Sequence, residues 1–360
     1  MECVFSRIND ITHDDGRPRL PIDGYEGVPL VSLEVAVEPL VSLFPDDSLS
    51  TRVTIAKQRC QNPADGLSPD ESASIMLYTI EWPHRAQSLY YILNKTLREE
   101  NRELLRPWFA YLRLLIDALV QLPLFNDVVY RGVKRNLTAD YPPNTQLTWW
   151  SFSSCTSDFR ALECEEFCGT NGPRTIFHIK SEHARDIRNH SYYGSENEIL
   201  LLPGRYLSIK NHANLGNGLY IIHLEEVDPP YKLISLPPVK PWQQIKPGAS
   251  LLGKCISSGC QAYRKEVTIP IDIECYDIVK DSRTLAQCPM CRQHVNISKL
   301  GFNRCQWKLH GIIQQDSINP PKPFLKEWTP APRHSLVQYD LSQKNALCWR
   351  QLMIEITSED

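Results

Sequence analysis

The spacing of the hydrophobic residues changes once along this chain, at Pro123, and that change limits what residues 66–228 can become. Before it, apolar residues recur at helical spacing. Ser68-Pro69-Asp70-Glu71 opens the first stretch. Ser68 can cap the exposed amides, Pro69 suits the first helical position, and Glu71 can reach back to complete a capping box. Ala73, Met76, Leu77 and Ile80 then share one face, and Pro83 ends the helix. A second helix is predicted over 85–101, with Ala86, Leu89, Tyr90, Leu93 and Leu97 inward. A third covers 104–121, with Leu105, Trp108, Leu112, Leu115 and Leu119 inward. After Pro123 the segments are short and read as strands, at 127–133, 147–154, 175–180, 198–202, 206–210 and 219–227, with turn residues between them. Helices first and strands afterwards give an α+β domain.

The flanks are less patterned. Residues 1–65 form an N-terminal extension, with a short helix expected over 33–43 that docks on the main domain, which spans 66–228. Residues 229–250 contain Pro229, Pro230, Pro237, Pro238, Pro241 and Pro247 and read as a stiff linker. A Cys-rich module follows over 251–313. The tail over 314–360 is polar and proline-containing, with little structure of its own expected. A chain of 360 residues with net charge −3 carries no general field for nucleic acid or anionic membrane. No run of 18 apolar residues marks a transmembrane helix. The N-terminus lacks a basic segment followed by an apolar one, so an intracellular, cytoplasmic chain with reduced or metal-bound thiols is expected.

Three segments of the strand region carry chemistry. In Val128-Val129-Tyr130-Arg131-Gly132-Val133, an arginine follows apolar residues, and a guanidinium forks onto phosphate oxygens better than an ammonium does. Gly132 permits close backbone approach. Taken alone, Arg131 would be a surface residue. In Phe152-Ser153-Ser154-Cys155-Thr156, Ser154 is a candidate hydrogen bonder to a neighbouring carboxylate and a ligand. No Gly-x-Ser-x-Gly elbow marks it as a nucleophile, and alone the segment reads as an edge strand. In Ser195-Glu196-Asn197-Glu198-Ile199-Leu200-Leu201-Leu202, Glu198 opens an apolar run that reads as a buried strand. A carboxylate there is costly unless paired or used. Glu196 lies two positions earlier, and in extended backbone both carboxylates would face the same way.

Arginine in a Tyr-Arg-Gly strand, a Phe-x-Ser-x-Thr strand, and Glu-x-Glu before a hydrophobic strand, in this order behind a helical block, resemble the Arg-Ser-Glu class of ADP-ribosyltransferases, the cholera-toxin-like class. Within it the chain resembles the eukaryotic arginine-specific mono-ADP-ribosyltransferases, over about residues 20–230. Thr156 stands where the family's second motif commonly has serine. The resemblance implies a two-sheet β core behind a helical subdomain. It implies NAD+ as substrate, with Arg131 on the phosphates and Ser154 orienting Glu198 and the nicotinamide side. Glu198 would hold the nicotinamide ribose and stabilise the cation that forms there, and Glu196 would position the guanidinium of an exposed arginine on an acceptor protein. Phe152, Tyr192 and Tyr193 are candidates to stack on nicotinamide, against ordinary packing. Two other readings stand beside transfer: an NAD+ glycohydrolase of the same fold, with water as acceptor, and a catalytically silent scaffold.

In the Cys-rich module, Cys255 and Cys260 are followed by the pair Cys288 and Cys291. Two close pairs at this separation suit a structural Zn2+ held by four thiolates, in a small ribbon-like module. Such modules take proteins, ubiquitin-like modifiers or nucleic acid, and recruitment of a target protein is expected here, with nucleic acid disfavoured by the charge.

Overall fold

The computed structural model describes residues 17–358, except 45–46, 123, 126, 165–167, 195–196, 238–239, 315–317, 319, 332–335 and 342–347. The chain divides into two compact units, Met1–Pro237 and Pro238–Asp360. Among the described residues no helix is long and apolar enough to cross a membrane.

The first unit opens with helices α1 (Leu33–Val37), α2 (Ser48–Arg59), α3 (Pro69–Thr79), α4 (Leu89–Leu97) and α5 (Phe109–Gln121). The capping box ahead of α3 is formed. Glu71 N donates to Ser68 Oγ at 3.3 Å, and Ser68 N donates to Glu71 Oε2 at 2.7 Å. The helix predicted over 85–101 is instead a single 3-10 turn, Arg85–Gln87, followed by α4. Ser88 between them is extended and its hydroxyl bonds back to the Arg85 carbonyl. The helical phase restarts there, which leaves Ala86 exposed rather than inward. The third helix likewise begins as a 3-10 stretch, Arg102–Trp108, with Pro107 inside it, and the α-helix starts only at Phe109, after the proline. Helix α2 lies where no element was expected. Its apolar stripe is only Leu49, Val53 and Ala56, one side chain per turn, among serines and threonines. Residues 17–65 are integral to the helical core rather than docked on it, through Ile22, Tyr25, Leu33, Leu40, Phe44 and Val53.

The strands are β1 (Leu124–Phe125), β2 (Val128–Val133), β3 (Gln146–Trp149), β4 (Ser153–Thr156), β5 (Arg174–Lys180), β6 (Ala184–Asp186), β7 (Glu198–Leu201), β8 (Arg205–Gly216) and β9 (Leu219–Glu226). Their order is β1-β6-β7-β4-β2-β5-β9-β8-β3. Between β4 and β2 the ladder is one residue pair, Tyr130 with Thr156. The nine strands therefore form two sheets joined at that pair. Side chains of both pack into one core, with Cys155, Ile199 and Leu201 against Val129, Phe177, Ile179 and Leu224. The alternate residues Phe152, Leu200 and Leu202 pack against the helices instead. The single strand predicted over 147–154 is two, β3 and β4, which lie in different sheets. Asn94 of α4 grips the segment between them, receiving the Phe152 amide at 3.1 Å and donating to the Phe152 carbonyl at 3.3 Å.

The expected linker is shorter than 229–250. Ile22 forms a parallel bridge with Ile234, and Leu233 and Ile234 are buried in the first unit's core. The second unit contains β10 (Gly248–Lys254), β11 (Glu266–Ile271), β12 (Cys275–Asp277), α6 (Ile278–Leu285), β13 (Asn296–Asn303), β14 (Cys305–Gln314), β15 (Lys322–Ala331), β16 (Val337–Asp340) and β17 (Cys348–Ser358). They make two four-stranded sheets, β11-β10-β13-β16 and β12-β17-β14-β15. The tail beyond 314 thus supplies three strands, against expectation. Its signal is the alternation Leu352, Ile354, Ile356, all buried, and its prolines Pro323 and Pro330 sit on the edge strand β15, where a missing amide costs nothing. The module is correspondingly larger than a ribbon, with Phe302 and Trp307 stacked at 4.1 Å in its core.

Candidate active site

The point where the two sheets part is also where the three sequence signatures meet. Glu198 opens β7 and pairs with Thr156 on β4, and Thr156 pairs with Tyr130 on β2, next to Arg131. Adjacent strands lie about 4.8 Å apart, so the backbones of residues 131 and 198 are on the order of 10 Å apart across the junction. Arg131 is 1% exposed, and its Nη1 donates to the Ser154 carbonyl at 3.1 Å. Cys155, between Ser154 and Thr156, registers both charges. Burial pushes its thiol up to about 12, Arg131 pulling it down and Glu198 pushing it further.

Ser154 pairs with Leu200, so its side chain lies on the same face as those of Leu200 and Glu198. Its hydroxyl is buried and has no hydrogen-bond partner among the described residues. The expected bond from Ser154 to Glu198 is absent. The two residues are diagonal across the ladder, with Cα atoms about 7–8 Å apart, so a bond between them would depend on how the long Glu198 side chain is turned. The hydroxyl on Glu198 is that of Ser191, whose Oγ donates to Oε2 at 2.9 Å. Sequence reasoning missed Ser191. It lies seven residues before Glu198, and only the fold of the intervening loop brings it back.

Three further expectations need correction. Gly132 does open room for a close approach, but the group that approaches is Cys168, whose Cβ would be 2.9 Å from a Cβ at position 132. Phe152 is buried against Tyr78, with ring centroids 5.3 Å apart, so its ring belongs to the helical core and is not offered to a ligand. The backbone between Glu196 and Glu198 is not extended. Asn197 has φ of +48°, a left-handed conformation that asparagine tolerates, so the period-two argument for parallel carboxylates does not hold there. Glu196 itself lies outside the described residues. Tyr192 and Tyr193 are half-buried, packed edge to face at 4.9 Å, with the Arg59 guanidinium 4.0 Å from the Tyr192 ring centre.

Residues 47–228 match the family described as NAD:arginine ADP-ribosyltransferase. The chain belongs to this family. Membership makes it a transferase of the ADP-ribosyltransferase type, for which NAD+ is the fitting donor. It is similar to HopU1 of Pseudomonas syringae pv. tomato DC3000, at 20% identity over 58% of this chain and 100% of that one, with a TM-score of 0.38. It is similar to the eucaryotic mono-ADP-ribosyltransferase ART2.2, at 20% identity over 56% of this chain and 85% of that one, with a TM-score of 0.40. It is also similar to the Vis toxin of Vibrio splendidus, at 20% identity over 59% of this chain and 96% of that one, with a TM-score of 0.36. No curated protein matches it in sequence.

The second unit holds the four expected cysteines together. The sulfurs of Cys255, Cys260, Cys288 and Cys291 all lie within 4.8 Å of one another. Cys255 and Cys291 are 3.7 Å apart and Cys260 and Cys288 are 3.9 Å apart. A Zn2+ with four sulfurs at 2.3 Å in a tetrahedron has S–S edges of about 3.8 Å, so the donor set and its size both fit that ion.

Proposed function

We propose that this chain transfers ADP-ribose from NAD+ to the guanidinium of an exposed arginine on an acceptor protein. The observation that carries the reading is the buried, unpartnered Ser154 hydroxyl on the same strand face as the buried Glu198 carboxylate. A buried hydroxyl left without a partner costs about 1–3 kcal/mol, and a ligand that bonds it recovers that cost. Ser154 meets the nicotinamide end of NAD+, and Arg131 takes its phosphates. Glu198 lies beside the ribose. As the bond from the anomeric carbon to nicotinamide breaks, the electron pair leaves with nicotinamide and positive charge grows on the sugar. A fixed carboxylate favours that charge. The guanidinium nitrogen then attacks the anomeric carbon from the far face and sheds its proton, with Glu196 positioning it. A guanidinium is protonated and a poor nucleophile near neutral pH, so an acidic neighbour at the acceptor side is needed.

In the second unit, Zn2+ held by Cys255, Cys260, Cys288 and Cys291 acts as a staple between the two cysteine-bearing loops, and the unit recruits the protein that is modified. Labelled NAD+ added to the full chain with a protein mixture, followed by mapping of the modified side chain, tests the reading. Label on arginine supports it. Release of nicotinamide with no protein labelled would leave water as the acceptor, and no turnover at all would make the fold a scaffold.

A further inference from the structure

The loop between β6 and β7 brings three consecutive residues, His190, Ser191 and Tyr192, into directed hydrogen bonds. His190 is fully buried. Its Nδ1 is 2.9 Å from Ser72 Oγ near the start of α3, and its Nε2 is 3.1 Å from the Asp65 carboxylate just ahead of that helix. A carboxylate only accepts, so Nε2 carries the proton toward Asp65, and Nδ1 pairs with the Ser72 hydroxyl. The backbone amide of Tyr192 donates to Thr79 Oγ1 at 2.8 Å, at the other end of α3, and the Thr79 hydroxyl is itself oriented by donating to the Met76 carbonyl at 2.8 Å. Between these anchors stands Ser191, 6% exposed, whose hydroxyl donates to Glu198 Oε2.

We propose that helix α3 positions the Glu198 carboxylate through this loop: Ser72 and Thr79 pin the residues on either side of Ser191, so that the Ser191 hydroxyl holds Oε2 and with it the orientation of the whole carboxylate. Three neighbouring residues with alternating targets on two sides are over-determined. A loop that merely packed on the helix would need none of these directions. The anchors are seven residues apart on α3, two turns or about 10 Å, and the loop turns back on Ile187 through the amides of His190 and Ser191, so that the His190 side chain meets one anchor and the Tyr192 amide the other. Ser191, His190, Ser72 and Thr79 are positioning residues. They act on the reaction only by fixing a group that must not reorganise as charge develops.

This inference rests on Glu198 being the catalytic carboxylate, and its test separates the two. Steady-state nicotinamide release by the full chain gives kcat and KM for NAD+. Ser191→Ala is expected to lower kcat about 10- to 100-fold with KM changed less than about twofold, since a loosened carboxylate weakens transition-state stabilisation more than ground-state binding. Ser191→Thr retains a hydroxyl and restores most of kcat. Ser72→Ala lowers kcat about 3- to 10-fold, and combined with Ser191→Ala it adds little to the single change, because both lie on one route. Wild-type kcat in Ser191→Ala or additive losses in the pair would overturn the positioning role while leaving Glu198 in place. Should Ser191→Ala not fold, Thr79→Val carries the decision. It removes the acceptor of the Tyr192 amide without touching the carboxylate, and an unchanged kcat there overturns the proposal. Full turnover by Glu198→Gln would instead defeat the underlying assignment.

Discussion

Glu198 is 3% exposed at the first position of β7, where an uncompensated carboxylate would be expelled or protonated. On the function proposed above, a carboxylate fixed by Ser191 is what a site for a developing cation requires. Replacing it with alanine removes one preorganised charge, worth about 3–4 kcal/mol of transition-state stabilisation. Glu198→Ala is therefore expected to lose on the order of a thousandfold in kcat for nicotinamide release. Near-wild-type release would contradict its role. Glu196→Gln is expected to separate two activities, with arginine transfer lost and some NAD+ hydrolysis kept, because water needs no help in shedding positive character. Equal loss of both, measured with and without a small guanidine acceptor, would remove Glu196 from the acceptor side. At this scale the sequence was informative where chemistry demands a costly residue in an apolar setting, as at Glu198, and where three such residues recur in order. It was silent on Ser191, whose partner is chosen by a loop path, and misleading at Phe152 and Gly132. An aromatic ring and a glycine serve packing as readily as binding, and here Tyr78 and Cys168 claim them.

Elements were legible where one local rule acted without competition. Both bonds of the capping box at Ser68 are present, and Ser68→Ala is expected to cost about 1 kcal/mol, read as a lowered denaturation midpoint. Boundaries failed where a side chain outside the element decided them: Asn94 parts β3 from β4, and the Ser88 hydroxyl breaks the phase ahead of α4. A stronger tie lies at the end of β9. Glu226 Oε2 accepts from the Ser181 hydroxyl at 3.0 Å and from the amides of Glu182 and His183 at 2.8 and 3.1 Å, while Oε1 meets Arg205 Nη1 at 2.9 Å and His183 Nδ1 at 3.1 Å. Burial alone would raise its pKa. The bond with His183, the Arg205 charge and the Glu182 amide outweigh burial and hold the carboxyl well below the usual carboxylate range. A group whose pKa is depressed on folding adds stability that is complete above its unfolded pKa, about 4.3, and is lost as pH falls below that value. Glu226→Gln is thus expected to lower stability by about 2–4 kcal/mol at neutral pH and to flatten the decline below about pH 4. Melting curves of both proteins between pH 3 and 7 check this. Parallel curves would show that the bonds do not favour the ionised form.

The division at Pro237 gives one chain two separate cores, one built on helices and a split sheet, the other on two sheets whose loops carry clustered thiols. The second is legible in part: the cysteine spacing announced four thiols that the fold brings together, but the strands from 322 onward were hidden behind prolines that an edge strand accommodates. Loss of a tetrathiolate staple removes binding energy that is folding energy for the loops it joins. A thiol-competing chelator is therefore expected to release one Zn2+ per chain and to expose the second unit to protease. The first unit, which carries Arg131, Ser154 and Glu198, should keep its NAD+ turnover. Release of no zinc from purified chain would refute the metal assignment. Turnover lost in step with the metal would place the ion in the reaction rather than in the second unit's fold. The same division makes recruitment testable. A chain ending at residue 237 should modify a small guanidine acceptor as the full chain does, because every residue proposed for the NAD+ and guanidinium chemistry lies in the first unit. It should label native proteins several-fold more slowly, because multivalent capture raises local acceptor concentration without changing the chemical step. Equal labelling of native proteins by the two chains would leave the second unit without a part in target choice.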